Sequence, residues 1–233
     1  MDIQKAIEKI AGLARASQCS MFDIVAYDTF SESVEVFEKK ITNTEIQESK
    51  ALGIRVFKNS CPGIAFTEKL TEDALKTCLA DALSHTAITS PISFQLPKPT
   101  ALIAKDFNRL SPDFNQYSFS DLIHFATKLE DNVRSADARI ENVPYTGAGR
   151  SSVTVHFLNS EHVRHVHTDQ DFSAYSAAVL SFEAQKKMGF YSNSRLSFSD
   201  LKNLPIAALT VERTLQQLGA KPVKAGKYRV LFS

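Results

Sequence analysis

Hydrophobic positions along the chain alternate between a helical and a strand rhythm. Ile3, Ala6, Ile7, Ile10, Leu13 and Ala14 recur at three- and four-residue spacing, which predicts an amphipathic helix ending near Ser17. From Phe22 to Phe30 the period shortens to two, with Ile24 and Ala26 on one face and Val25 and Tyr27 on the other. Val34 and Val36 alternate with Glu35 and Phe37 as a second strand, and Ser31-Glu32-Ser33 reads as the hairpin connection. Between Glu48 and Leu70, two strands carry Ala51, Ile54, Val56 and Phe57, then Ile64 and Phe66, around a reversal at Lys58–Gly63. Thr71 offers a hydroxyl cap, Glu72 and Asp73 suit the positive end of a helix dipole, and Leu75, Cys78, Leu79 and Ala82 mark the helix that follows.

The texture then changes. Pro91, Pro97, Pro99 and Pro112 are half of the 8 prolines and fall among Ser, Gln, Asn and Asp, predicting a connection with little regular structure. Its apolar members, Phe94, Leu96, Leu102, Ile103 and Phe107, suit a segment packed along a surface. Ser120 is placed to cap a second long helix bearing Leu122, Ile123, Ala126, Leu129 and Val133. Strands follow at Ser152–Leu158, Glu161–His167 and Phe172–Phe182, and a last helix carries Leu204, Ala208, Val211, Leu215 and Leu218, with Pro205 in its first turn and Gly219 as its stop. The repeated order predicts an α+β fold of two similar helix–multistrand–helix units with mainly antiparallel sheets. The units span 1–90 and 119–222, joined by a proline-rich connection at 91–118. Residues 223–233, with the apolar run Tyr228–Phe232, read as the first strand of a further domain.

Composition narrows the function classes. With 27 Lys and Arg against 26 Asp and Glu, the net charge is +1, so no global field favours nucleic acid or an anionic membrane. No run approaches the ~20 apolar residues of a membrane-spanning helix, and the acidic start Met-Asp-Ile-Gln-Lys lacks a secretory pattern, so a cytoplasmic location is expected. Cys19, Cys61 and Cys78 are an odd set with no paired spacing, which fits reduced thiols in structural roles.

The chain carries little of the chemistry a hydrolase needs. The helical zinc pattern His-Glu-x-x-His is absent, as are a Gly-x-Ser-x-Gly elbow and a phosphate-binding glycine loop. His165 and His167, two apart on a strand, share a face with His162 nearby and Asp169 beyond, which opens a metal-site reading beside the plainer one of a solvated polar hairpin. Neither a catalytic residue nor a metal ligand is therefore assigned. Arg55, the charged residue within the Gly53–Phe57 strand, reads either as a carboxylate holder or as a solvent-facing strand residue, with the second favoured. Gly53 weakens a strand unless a bulge or a close backbone approach requires it.

Gly53-Ile-Arg-Val-Phe57, a polar turn, Gly63-Ile-Ala-Phe-Thr67 and a capped helix resemble the N-terminal signature of the TldD/PmbA family. Thr89-Ser90-Pro91, Ala136-Asp-Ala-Arg-Ile-Glu-Asn142 and Asn159-Ser160 follow in the family's order and resemble its PmbA (TldE) branch more than the TldD branch. Where family members place glycine soon after Asn-Ser, this chain has Glu161-His162. The family was first named for modulation of DNA gyrase and consists of peptidase subunits roughly twice this length. The resemblance implies the N-terminal part of a non-metal subunit in a heteromeric cytoplasmic peptidase. No cofactor is then expected in this chain, zinc is expected in a TldD-like partner, and small or unfolded peptides are the substrate. Gly53, Arg55 and Gly63 become family-signature positions with a structural or peptide-facing role. A stand-alone binding module, or a regulator of the gyrase-modulator type, is the alternative.

Overall fold

A computed structural model describes residues 1–17, 19–99, 109–183 and 185–231. The elements run α1 (Ile3–Ala16), β1 (Met21–Phe37), β2 (Lys40–Lys58), β3 (Cys61–Thr67), α2 (Glu72–His85), α3 (Phe119–Ser135), β4 (Ile140–Asn159), β5 (Arg164–Phe182), β6 (Gln185–Arg195), α4 (Phe198–Lys202) and α5 (Ile206–Leu215). The α+β class with antiparallel strands is what forms. The strands of both units join through β1 and β4 into one curled six-stranded sheet, ordered β3-β2-β1-β4-β5-β6.

One alternation organises the packing. Even-numbered residues of β1 point to the helices from end to end: Phe22, Ile24 and Ala26 pack under α1 and α2, and Val34 and Val36 under α3. Because side chains on a strand alternate strictly, both helix groups cover the same face of the sheet. Odd-numbered positions face the other side, on which no helix packs among the described residues.

Strand boundaries differ from the periodicity in instructive ways. The hairpin expected at Ser31-Glu32-Ser33 does not form; β1 runs straight through it and turns at Glu38-Lys39. Both turn residues have positive φ (51° and 62°), as a two-residue type I′ hairpin demands, although neither is glycine or asparagine. Glu130 of α3, fully buried, supplies the compensation by accepting both turn N–H groups at 2.8 Å. Inside β1, Glu32 stays on the helix face because Arg150 of β4 stands directly opposite and pairs with it at 2.8 Å. The segments 161–167 and 172–182 likewise merge into one strand, β5, and β6, an edge strand of mixed polar sequence, was not anticipated.

Helix ends show smaller shifts. Ser118, not Ser120, opens α3, through a capping box with Asp121. The last helix forms as α5, starting after Pro205 and ending at Leu215, short of Leu218 and the expected stop at Gly219; before it lies a short additional helix, α4, capped by Ser197 and anchored on buried Asp113. Of the connection, residues 91–99 do pack along a surface: Phe94 stacks on Phe57 at 5.1 Å and Leu96 is buried. Leu102, Ile103 and Phe107 lie outside the described residues. Of the run expected as a strand, positions 228–231 are not in a strand among the described residues, and Tyr228, Val230 and Leu231 are exposed; Phe232 lies outside the described residues.

Candidate functional site

The helix-free face of the sheet holds two of the signature residues, Gly53 and Arg55. Arg55 of β2 lies directly opposite Asp23 of β1 and donates from Nε at 3.1 Å and from Nη2, so the two form a cross-strand ion pair. The guanidinium also sits over the Phe94 ring at 4.5 Å and near that of Phe57 at 5.5 Å. Residues 92–97 cross this end of the face, tied by Ile92 N–H to the Ser60 carbonyl and by the Asn159 amide to the Pro97 carbonyl. Arg55 is thus a positioned residue, clamped between strand and connection, rather than a free surface charge. Asp23 was missed in the sequence, where its signal was an acid on the odd face of an otherwise apolar strand.

Next to this pair, Gly53 leaves a shallow depression of about 310 Å³ bordered by Asp23, Val25, Arg55, Ile64 and Phe157. A Cβ at Gly53 would meet its neighbours only at 3.8 Å or more, so neither bulge nor close packing explains this glycine. Gly63 is the opposite case. It lies on the helix face under α2, and a Cβ there would stand 1.9 Å from the Ala82 carbonyl oxygen. The two signature glycines therefore do different things: Gly63 lets α2 sit on β3, and Gly53 opens the outer face.

Apolar groups extend outward from the depression. Phe66 and Ile64 of β3 are 76% and 60% exposed, and Tyr27 of β1 is 45% exposed. The two sheet edges add backbone groups. From Lys40 to Ala51, β2 pairs with β1 alone among the described residues, because β3 begins its ladder only at Leu52. An unpaired strand edge is a template for another extended chain.

His165 and His167 do share a face, their rings near parallel at 6.3 Å. Asp169 is engaged by Arg109 at 2.8 Å, and His162 turns the chain at φ 66°, in the left-handed region that glycine enters without strain. No three His, Cys, Asp or Glu side chains stand together as a metal-holding group among the described residues, so no metal chemistry is derived for them. Cys78, on the buried face of α2, has its thiol pushed up to about 11 by desolvation, which leaves it an unreactive core residue. No helix of the described residues is long and apolar enough to cross a membrane.

Two family models match the sequence: the PmbA/TldA metallopeptidase domain 1 over residues 22–85, and the PmbA/TldA metallopeptidase central domain over residues 112–218. The chain belongs to the PmbA/TldD family. No curated protein matches it at a significant level. Among solved structures, a protein described as a DNA gyrase modulator from Bacteroides thetaiotaomicron is 19% identical at a TM-score of 0.84, covering 97% of this chain and 52% of its own. A similarly described protein from Thermotoga maritima is 16% identical at a TM-score of 0.78, covering 97% of this chain and 50% of its own. TldE from Thermococcus kodakarensis is 19% identical at a TM-score of 0.75, covering 91% of this chain and 47% of its own. At these identities the likeness establishes the fold, and the chain spans about half the length of the structures it matches.

Proposed function

We propose that this chain is the N-terminal portion of a PmbA/TldE-like subunit in a cytoplasmic heteromeric TldD/PmbA metallopeptidase acting on small or unfolded peptides. It shapes the chamber and holds peptide, while the zinc belongs to a TldD-like partner. The observation that supports this reading is the helix-free sheet face, with its depression at Gly53, its exposed Ile64 and Phe66, and an unpaired edge along β2. An extended peptide added to such an edge gains main-chain hydrogen bonds regardless of its sequence, which suits a family of dissimilar substrates. Leu52–Lys58 of the signature strand pairs with both β1 and β3, whereas Lys40–Ala51 of β2 pairs with β1 alone among the described residues, and this second stretch is the edge proposed for the peptide.

The test mixes the purified chain with a zinc-bearing TldD-type subunit from the same cell and measures complex formation and cleavage of an unstructured peptide. Cleavage by the mixture, and by neither component alone, is the expected result. A complex that does not cut would mean that this chain does not by itself complete the chamber; no complex favours the stand-alone module. Proline at Thr44 and, separately, at Glu45 tests the edge, since successive residues of a strand aim their N–H groups in opposite directions and one of the two must face outward. Peptide capture unchanged in both variants would remove strand addition from the proposal.

A further inference from the structure

A second concavity lies within the helix layer. It is a pocket of about 500 Å³ between α3 and the α4–α5 corner, a volume within the range of about 300–1,000 Å³ typical of small-molecule sites. Its walls are apolar, formed by Phe125 and Leu129 of α3, Phe198 of α4, and Leu204 and Ile206 at the start of α5. Its rim is cationic: Lys128 and Lys202 both border it, with His124 beside them.

The placement of these charges is specific. Lys202 Nζ rests 4.4 Å from the Tyr117 ring centre and 5.1 Å from that of Phe198, with its nearest polar contact the Tyr117 hydroxyl at 3.1 Å. An ammonium held over two ring faces is fixed in direction while keeping donors for another acceptor. Asp121, the acid on the rim, accepts from the Ser118 hydroxyl and N–H at 2.7 Å each, both through Oδ2, and these bonds, with smaller contributions from the charges of Lys202 and His124, hold its pKa below the ordinary carboxylate range. With Lys128 and Lys202 against the single acid Asp121, the rim keeps a net positive charge toward a ligand.

The geometry points to a binding site for a small amphipathic anion: an apolar body seated against Phe125, Leu129, Phe198 and Ile206, with one carboxylate between Lys128 and Lys202. A free alkyl or aryl acid and the C-terminal residue of a short apolar peptide share this chemistry. The site is separate from the sheet face and does not depend on the peptidase reading.

Calorimetric titration of the whole chain with decanoate, with N-acetyl-Leu-Phe and with decyltrimethylammonium tests it. One of the two carboxylates is expected to bind with a submillimolar Kd, and the cation of equal tail length at least about tenfold more weakly. The tighter of the two carboxylates identifies the source. Lys128→Gln with Lys202→Gln is expected to weaken the carboxylate about tenfold or more. Ala208→Phe, which fills the pocket from an exposed position of α5, is expected to abolish binding with the thermal midpoint unchanged. Equal binding of cation and anion, full affinity in either variant, or no heat at millimolar ligand would overturn the assignment.

Discussion

The two halves of the sheet are covered on the same face by different means. Under α1 and α2, the interface is hydrocarbon: Ile3, Ile7, Ile10, Leu75 and Leu79 meet Phe22, Ile24, Leu52 and Val56, with no charged side chain buried between helix and sheet among the described residues. Under α3–α5 the apolar cluster is threaded by polar anchors. Glu130 holds the β1–β2 turn, Asp113 holds the start of α4, Arg150 joins Glu32 to the carbonyls of Phe114 and Tyr117, and Thr146 meets Ser176 at 2.8 Å. Burial alone aligns the first half. In the second, irregular segments must be fixed to the sheet, and single side chains with several hydrogen bonds do that.

The largest test of this contrast is Glu130→Ala. It strips two turn N–H groups of their acceptor and leaves Arg134, paired to Glu130 at 2.8 Å, without its partner. Arg134, 34% exposed, can turn to water, but two hydrogen bonds to a charged group are lost at about 1.5–3 kcal/mol each, which urea unfolding would read directly. A loss below 1 kcal/mol would mean that the Glu38-Lys39 turn holds itself and that the anchor is incidental.

Gly63→Ala applies the same test to the apolar half. The added methyl would occupy the space of the Ala82 carbonyl and press on Thr86 at 2.9 Å, so α2 must lift from β3. Overpacking of this kind costs about 1–3 kcal/mol, occasionally more. The lifted helix should also lose the 2.7 Å link between His85 Nδ1 and the Ile64 carbonyl, visible as faster amide exchange at the end of α2.

Asp113→Asn comes next, at about 2 kcal/mol for charge-assisted hydrogen bonds reduced to neutral ones. Burial alone would raise the Asp113 carboxyl, but N–H groups of Ser199 and Phe198 and the hydroxyls of Ser197 and Ser111 hold it below its ordinary value. A depressed carboxylate contributes stability that is complete above its unfolded value near 3.8 and is lost as pH falls through the lower folded value. The wild-type chain should therefore lose more stability than the variant as pH drops from 5 toward 2 (urea midpoints at each pH). Parallel curves would exclude Asp113 as the source.

These residues also mark what the sequence could reveal. Helices α1 and α2 were legible because their apolar stripes face a hydrocarbon layer, and period alone carries that information. The hairpin at Glu38-Lys39 was not, because two residues with β-carbons adopt positive φ only when Glu130, about ninety positions away, accepts their N–H groups. Glu32 broke the apolar rhythm of β1 and suggested a loop; its partner Arg150 is farther still along the sequence. For the candidate site, Gly53, Arg55 and Gly63 stood out, but their division of labour depended on which face each occupied, and a one-residue change of register reverses that. Asp23 was hidden for the same reason.

Gly53→Ala is the smallest perturbation and separates folding from function most cleanly. The site has room for a methyl group, its φ lies outside the left-handed region, and alanine reduces the freedom of the unfolded chain. Stability should rise by about 0.4–1 kcal/mol. Peptide capture by the assembled subunits should fall if the depression beside Arg55 seats a side chain, and fall further with Gly53→Val, which fills more of the same space. A stabilised variant with reduced capture would tie the signature glycine to the outer face and its ligand. A stabilised variant with unchanged capture would leave Gly53 without a part in peptide binding and shift attention to the exposed edge of β2.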